Sequence, residues 1–206
     1  MSAMETFTGW HTWAEAEPGL ARRLPAEVTA EIGRAVAFAT AHHGDQRRKN
    51  GVPYLEHLLE ALQALVEGAG VTTPEVLVAA VLHDVVEDTP VTRADVAAGF
   101  GPRVAELVGW VTIPEAGPDQ DRQAVRQAHL ARLREAPPDA RLVKLADRLS
   151  NVQALRNLAP AEQGPYYEQT VTYIVPLAAD EPWFAAWYAA WQAEYADLAR
   201  SRSARR

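Results

Sequence analysis

Residues 76–89 read VLVAAVLHDVVEDT, a stretch that joins a strongly apolar segment directly to a cluster of polar side chains. The apolar part, residues 76–82, is typical of a buried helix. The polar side chains that follow it are His83, Asp84, Glu87 and Asp88. Polar groups at the end of a buried helix cost free energy unless a partner satisfies them. A metal ion could satisfy all of them together, and a solvated acidic helix end with one incidental histidine is the alternative.

The spacing within this cluster suggests that its four side chains have two different roles. If the helix continues, His83 lies over Glu87 and Asp84 over Asp88, because residues four apart share a helix face. His83 and Asp84 could then ligate one divalent ion, with the two other carboxylates one turn away, at the distance of a metal-bound water. That arrangement suits hydrolysis, since the ion acidifies a water and a nearby carboxylate accepts its proton.

Composition restricts the kind of metal site. The chain has 206 residues, 48% hydrophobic and 23% charged, which suits one globular domain or a domain with an extension. It contains no cysteine. Disulfides and thiolate metal sites are therefore excluded, and any metal must be held by histidine and carboxylate, a ligand set that fits Mn, Fe or Zn.

Charge and hydropathy restrict the partners. The net charge of −7 argues against nucleic acid or an anionic membrane as the main partner. Residues 1–16 show no signal-peptide pattern, and no apolar stretch reaches the roughly 18 residues that span a membrane. We therefore expect no membrane association and a cytoplasmic location. A local basic run, Arg47 to Lys49, still allows a basic pocket.

The periodicity is helical almost throughout, so the sequence predicts an all-α fold. Residues 1–24 are interpreted as an irregular or short-helical lead-in, residues 25–200 as one domain, and residues 201–206 as a frayed basic tail. Thr73 is predicted to cap the helix that starts at Pro74. The predicted helices are 27–43, 54–67, one from residue 74, a short one from Thr92 to near Gly99, 102–111, 121–134, 140–156, 161–178 and 182–200.

The segment KLADRLSN, residues 144–151, supplies a second group of polar side chains. Asp147 borders an apolar stripe and shares a helix face with Asn151, four residues on. A carboxylate beside a buried stripe needs a partner. That partner could be a metal, or it could be Lys144 or Arg148 in a salt bridge, and spacing alone leaves the choice open.

A third group joins a basic loop to a histidine. The cations of Arg48 and Lys49 could bind phosphates or stack on a base, or they could form a solvated basic turn. His57 precedes two leucines and, taken alone, is typical of a core histidine. In the C-terminal part, aromatic residues recur at helical spacing from Trp183 to Tyr195. Such a stripe is typical of a core, and a self-association surface that makes a homo-oligomer is the alternative.

Taken together, these groups are similar to the HD-domain phosphohydrolases, and more specifically resemble the alarmone hydrolase domain of RelA/SpoT proteins. The resemblance covers about residues 30–156 and leaves the helices of 157–200 outside its strong motifs. The strings that carry it are RKNGVPYLEH (48–57), LHDVVEDT (82–89) and KLADRLSN (144–151). The resemblance implies an HD-domain helical bundle and a stand-alone small alarmone hydrolase.

The resemblance also implies an activity and residue roles. Such enzymes remove the 3′-pyrophosphate from guanosine tetra- or pentaphosphate, giving GDP or GTP and pyrophosphate, typically with Mn²⁺. Carried over by position, the metal ligands are His57, His83, Asp84 and Asp147. Glu87 and Asp88 would orient and deprotonate the attacking water. Arg48 would stack on the guanine, Lys49 and Asn50 would lie nearby, and Asn151 would face the nucleotide.

Two positions depart from the family pattern. Leu58 replaces the proline that usually follows the first ligand histidine, and Asn50 replaces a frequent serine. Two other functions remain as alternatives: an HD hydrolase of another nucleotide, such as a different 3′-phosphorylated purine nucleotide, NADPH or a deoxynucleotide, and a sensor that binds a nucleotide without turnover. Retention of Glu87 and Asp88 favours catalysis over the sensor.

Overall fold

The computed structural model describes residues 4–203, and within them it is all-α, as predicted, with one isolated bridge between Arg47 and Pro53. In chain order the helices are α1 (Trp13–Ala21), α2 (Ala26–His43), α3 (Tyr54–Gln63), α4 (Pro74–Leu82), α5 (Val85–Asp88), α6 (Arg93–Phe100), α7 (Pro102–Val111), α8 (Arg122–Arg132), α9 (Pro138–Val152), α10 (Pro160–Gln169), α11 (Pro182–Glu194) and α12 (Ala196–Ser203). Over this range no helix is long and apolar enough to cross a bilayer.

Helix α4 lies at the centre of the molecule. Its residues from Val76 to Leu82 are all buried, which confirms the prediction of a buried helix. Helices α2, α3, α7 and α9 pack around it. Every face of α4 is covered by protein. His83 directly follows the C-terminal end of α4 and therefore lies in the interior, where its side chain is 1% exposed.

Several helices predicted to be continuous are interrupted. The 54–67 helix changes to a π-helical turn over Ala64–Gly68, and the 121–134 helix ends in a 3₁₀ turn over Leu133–Glu135. The 140–156 helix starts earlier, at Pro138, and ends at Val152. The 161–178 helix divides into α10, a π turn and a 3₁₀ turn. Hydrophobic periodicity follows the buried face and is insensitive to such changes of backbone hydrogen bonding.

The break after α4 matters most for the site. Helix α4 ends at Leu82, and Asp84 holds the cap position just before α5. The Asp84 carbonyl accepts the N–H groups of Glu87 and Asp88. The expected continuous helix, with His83 over Glu87, is therefore wrong. Asp84 sits at a bend with φ −100° and ψ −6°.

The predicted helix starts were only partly right. The capping box at Thr92 and Asp95 is present, and α7 has the predicted bounds. Thr73 holds the cap position of α4, yet its side chain makes no capping hydrogen bond, so that part of the prediction is wrong. At the C-terminus, α12 extends to Ser203, three residues into the segment expected to be frayed; residues 204–206 lie outside the described residues.

The N-terminal lead-in packs against the rest of the chain. The backbone N–H of Phe7 donates to Gln153 Oε1 at 2.7 Å, and Gln153 Nε2 donates back to the Phe7 carbonyl. Trp187 Nε1 donates to the Glu5 carbonyl at 2.8 Å. These contacts tie the segment before α1 to helix α11 and to the end of α9.

The aromatic residues of the C-terminal helices lie in the core. All except the partly buried Trp183 are buried against other helices of the same chain: Phe184, Trp187, Tyr188, Trp191 and Tyr195. The core interpretation of the stripe is therefore favoured. The alternative, a homo-oligomer surface formed by this stripe, stays a prediction.

Candidate active site

Four side chains from three parts of the chain converge on one point. His57 comes from α3, His83 and Asp84 from the bend after α4, and Asp147 from α9. The Nε2 atoms of the two histidines are 3.1 Å apart. Asp84 Oδ2 lies 3.0 Å from His83 Nε2 and 3.5 Å from His57 Nε2. Asp147 Oδ1 lies 3.4 Å from His57 Nε2 and 3.6 Å from His83 Nε2.

Hydrogen bonds on the far side of each ring fix where its proton lies. His83 Nδ1 is 2.8 Å from the Ala80 carbonyl, which can only accept, so Nδ1 carries the hydrogen. His57 Nδ1 is 2.7 Å from Ser150 Oγ, and the Ser150 hydroxyl in turn donates to the Glu60 carboxylate. Ser150 therefore accepts from His57 Nδ1–H. Both Nε2 atoms are left with lone pairs that face each other.

The cluster consequently needs a cation. The Nε2 lone pairs of the two histidines and the oxygens of the two aspartates lie close together and repel one another. A proton or a metal ion between them removes this repulsion. The same crowding sets the pKa of His83: burial lowers it, but the Asp84 and Asp147 carboxylates outweigh burial and raise it well above its ordinary value. Ligands about 2.1 Å from a shared ion lie roughly 3.0 to 3.4 Å apart. The measured separations from the histidines are close to that range. His57, His83 and Asp147 form a group that could hold a metal ion, and Asp84 Oδ2 lies beside both histidines.

Asp147 uses its two oxygens for two different partners. Its Oδ2 lies 2.7 Å from the ammonium of the buried Lys144, and its Oδ1 faces the histidines. Asn151 Nδ2 also donates to Oδ1, at 2.7 Å. Burial alone would raise the pKa of Asp147, but Lys144 and the histidines hold it well below its usual range. Of the partners left open by the sequence, Lys144 forms the salt bridge, and Arg148 bonds to Thr170 and Gln169 instead. The metal remains a prediction.

Tyr54 was not singled out as a site residue, yet it contacts the cluster. Its hydroxyl donates to Asp84 Oδ2, and its ring stacks on His43 with centroids 4.7 Å apart. Burial and the charge of Asp84 raise the pKa of Tyr54, so the hydroxyl stays a donor. Tyr54 belongs to the string that carries the family resemblance, so a signal was present. Lys144 and Ser150 also lie within a motif, whereas Glu60 had none.

Glu87 and Asp88 lie beside the cluster rather than within it. Glu87 Oε2 accepts the backbone N–H of Ile113 at 2.9 Å, which fixes the carboxylate against the loop after α7. Surrounding protein desolvates both groups, and this raises the pKa of each carboxyl, with further contributions from the charge of Asp84. A carboxylate with a raised pKa is a stronger base, as proton abstraction requires.

A cleft of about 1050 Å³ opens beside the cluster, with His57 and Tyr54 in its wall. Glu87 and Asp88 are not among its lining residues. The cleft is bordered by the 47–50 loop, α3, α9, α10 and the N-terminal segment, which contributes Thr8 and His11. Its volume suits a nucleotide-sized ligand.

The residues predicted to bind substrate all line this cleft. Arg48 donates from Nη1 to Glu60 Oε2 at 2.8 Å and from Nη2 to the Ser150 carbonyl at 3.3 Å, so its guanidinium is held by one edge. Lys49 reaches across to Glu162 on α10, at 2.6 Å. Asn50 is exposed, and its Oδ1 accepts the N–H of Val52.

Comparisons with known proteins agree with this architecture. The family model described as "HD domain" matches residues 35–182, more than half of the chain. A Mus musculus protein named guanosine-3′,5′-bis(diphosphate) 3′-pyrophosphohydrolase MESH1 is 41% identical over 135 residues, covering 64% of this chain and 73% of that protein. An Aquifex aeolicus protein of the same enzyme name is 37% identical over 148 residues, which are 72% of this chain and 21% of that protein.

A solved structure is also similar. It is described as "A metazoan ortholog of SpoT hydrolyzes ppGpp and plays a role in starvation responses", and it superimposes with a TM-score of 0.73 at 27% identity. The match covers 81% of this chain and 96% of that one. The chain therefore belongs to the HD-domain family, and within that family it is a relative of the MESH1 proteins.

Proposed function

We propose that this protein is a metal-dependent 3′-pyrophosphohydrolase of guanosine tetra- and pentaphosphate, releasing pyrophosphate and leaving GDP or GTP. The observation that carries the proposal is the convergence of four side chains, His57, His83, Asp84 and Asp147, each with one nitrogen or oxygen atom able to ligate a metal ion. The activity named for the MESH1 relatives and for the similar solved structure supports the choice of reaction.

Those four residues would hold one divalent ion, which we propose to be Mn²⁺. When bound, the ion acidifies a water and neutralises charge that develops on phosphoryl oxygens. Lys144 contributes a fixed positive charge on the outer oxygen of Asp147, so the aspartate stays ionised. Tyr54 holds the Asp84 carboxylate in place by its hydroxyl, which limits the orientations open to that ligand.

The remaining predicted residues receive the other roles. Glu87, held by the Ile113 N–H, and Asp88 orient the attacking water and accept its proton. Arg48 presents its guanidinium to the guanine while Glu60 holds one edge. Asn151 links the cluster to the cleft, because it both lines the cleft and donates to Asp147. Lys49 and Asn50 contribute polar contacts at the rim.

The proposal is tested by incubating Mn²⁺-loaded protein with guanosine tetraphosphate and separating the products. We expect GDP and pyrophosphate in equal amounts. Asp84→Ala should abolish turnover, whereas Asp180→Ala, which removes an exposed carboxylate that faces Arg141, should not. Release of inorganic phosphate instead of pyrophosphate, or full activity of Asp84→Ala, would contradict the proposal. Tight binding of the nucleotide without turnover would favour the sensor function.

A further inference from the structure

A chain of buried hydrogen bonds connects the ligand histidine His57 to the cleft residue Arg48. His57 Nδ1 lies 2.7 Å from Ser150 Oγ, Ser150 bonds to Glu60 Oε2, and the same Oε2 lies 2.8 Å from Arg48 Nη1. Arg48 Nη2 closes the loop at the Ser150 carbonyl. His57 and Glu60 are three residues apart on α3, and Ser150 is on the facing helix α9.

The direction of each bond follows from which atoms can donate. A carboxylate ion-paired to a guanidinium can only accept, so the single hydroxyl hydrogen of Ser150 points to Glu60. Ser150 Oγ then has only lone pairs left for His57, and His57 must donate from Nδ1. The carboxylate of Glu60 thus decides, through one hydroxyl, which nitrogen of His57 keeps a free lone pair.

We propose that Glu60 and Ser150 are positioning residues that hold the Nε2 lone pair of His57 toward the metal and tie this ligand to Arg48. The inference rests on the metal-ligand role proposed above for His57. It adds that metal binding and the cleft residue Arg48 are coupled through Glu60 and Ser150, two side chains that are not themselves metal ligands. Because energetic coupling is reciprocal, changes at Arg48 must alter metal affinity, and loss of Ser150 must weaken the hold on Arg48.

The geometry explains why this arrangement is effective. Ser150 is 2% exposed and His57 is similarly buried, so no water competes for the two bonds around the hydroxyl. If the hydroxyl is removed, His57 Nδ1–H loses its acceptor inside the protein, and the ring is free to turn or to change tautomer. Partners behind a metal-binding histidine typically change metal affinity by roughly 10- to 100-fold.

The first test measures Mn²⁺ affinity by calorimetry on protein stripped of metal, without nucleotide. Ser150→Ala should bind Mn²⁺ roughly 10- to 100-fold more weakly, and Ser150→Thr, which restores the hydroxyl, should recover most of that loss. Thr29→Ala is the matched control, because Thr29 also carries a buried hydroxyl, which donates to the Pro25 carbonyl at the cap position of the same helix. Unchanged affinity in Ser150→Ala, or no recovery in Ser150→Thr, would overturn the inference.

The second test measures the coupling itself. Arg48→Ala should weaken Mn²⁺ binding although Arg48 contacts no metal ligand, and adding it to Ser150→Ala should cause no further loss, since the connection is already cut. Arg47→Ala is the control, because Arg47 donates to the Gly51 carbonyl within its own loop. Fully additive losses in the double variant would show that the residues act independently and would refute the coupling.

A third variant separates the two halves of the chain of bonds. Glu60→Gln keeps an acceptor for Ser150 but removes the charge that holds Arg48, so we expect a smaller loss of Mn²⁺ affinity than in Ser150→Ala. KM for the nucleotide should rise by roughly 10-fold or more, the value of a hydrogen bond to a charged group, with a smaller change in kcat. Because the Mn²⁺ titrations need no turnover, failure of the wild type to cleave guanosine tetraphosphate would refute the proposed function without deciding this inference.

Discussion

Lys144→Met removes the cation that balances a buried carboxylate, and its effect on stability can be worked out from the contacts. Lys144 and Asp147 are both nearly inaccessible to solvent, and their charged atoms are 2.7 Å apart. Removing one partner of a buried pair leaves an uncompensated charge and costs about 3 to 5 kcal/mol of unfolding free energy. For a chain of this length that corresponds to a fall of roughly 6 to 20 °C in the thermal midpoint.

The assay is urea unfolding at pH 7, with and without saturating Mn²⁺. The loss should be smaller with Mn²⁺, because the ion faces the same carboxylate and binds only the folded state. Lys49→Met is the matched control: Lys49 pairs with Glu162 at 2.6 Å, but both side chains are well exposed, so its loss should cost less than about 1 kcal/mol. If both variants lose the same free energy, the argument from burial is refuted.

Four further predictions concern single groups in and near the site. Glu87→Gln should reduce kcat by roughly 10²- to 10⁴-fold. Mn²⁺ affinity should be retained, because the amide oxygen still accepts from the Ile113 N–H. Equal kcat values for the variant and the wild type would exclude Glu87 as the base. Since the pKa of Glu87 is raised, the acid limb of the wild-type kcat/KM profile should lie above the usual glutamate value, which a pH series checks. Tyr54→Phe should weaken Mn²⁺ binding by about 10-fold through the freed Asp84 carboxylate, and calorimetry would show it. Burial and Lys144 lower the pKa of His129 to about 4, so the neutral ring stabilises the fold above pH 6.5 and that stability is lost as the pH falls toward 4. His129→Gln should flatten this part of the unfolding free-energy curve, and an unaltered curve would count against the assignment.

Elements with strong local signals could be predicted from the sequence. Pro102 and the Thr92–Asp95 pair determine the starts of α7 and α6 through local backbone chemistry. Both helices start where the sequence predicts. The break at His83 and Asp84 could not be predicted, because the residues on both sides of it are apolar and their periodicity is that of one helix. That break is what lets His83 and Asp84 approach the same point from adjacent positions.

The site was predicted as a set of residues rather than as a network. Motif spacing brought together His57, the residues after α4 and Asp147, and these do converge. Hydrogen bonds between distant parts of the chain, such as the one between Glu60 and Ser150 across 90 residues, leave no pattern in the sequence. They depend on the packing of α3 against α9, which only the three-dimensional structure supplies.

The most direct measurement is a crystal structure of the protein grown with Mn²⁺, with anomalous scattering recorded to locate the ion. We predict one strong peak at about 2.1 Å from His57 Nε2, His83 Nε2, Asp84 Oδ2 and Asp147 Oδ1. A peak elsewhere, or a peak that contacts these histidines through Nδ1, would contradict the arrangement of protons and ligands on which the proposed function rests.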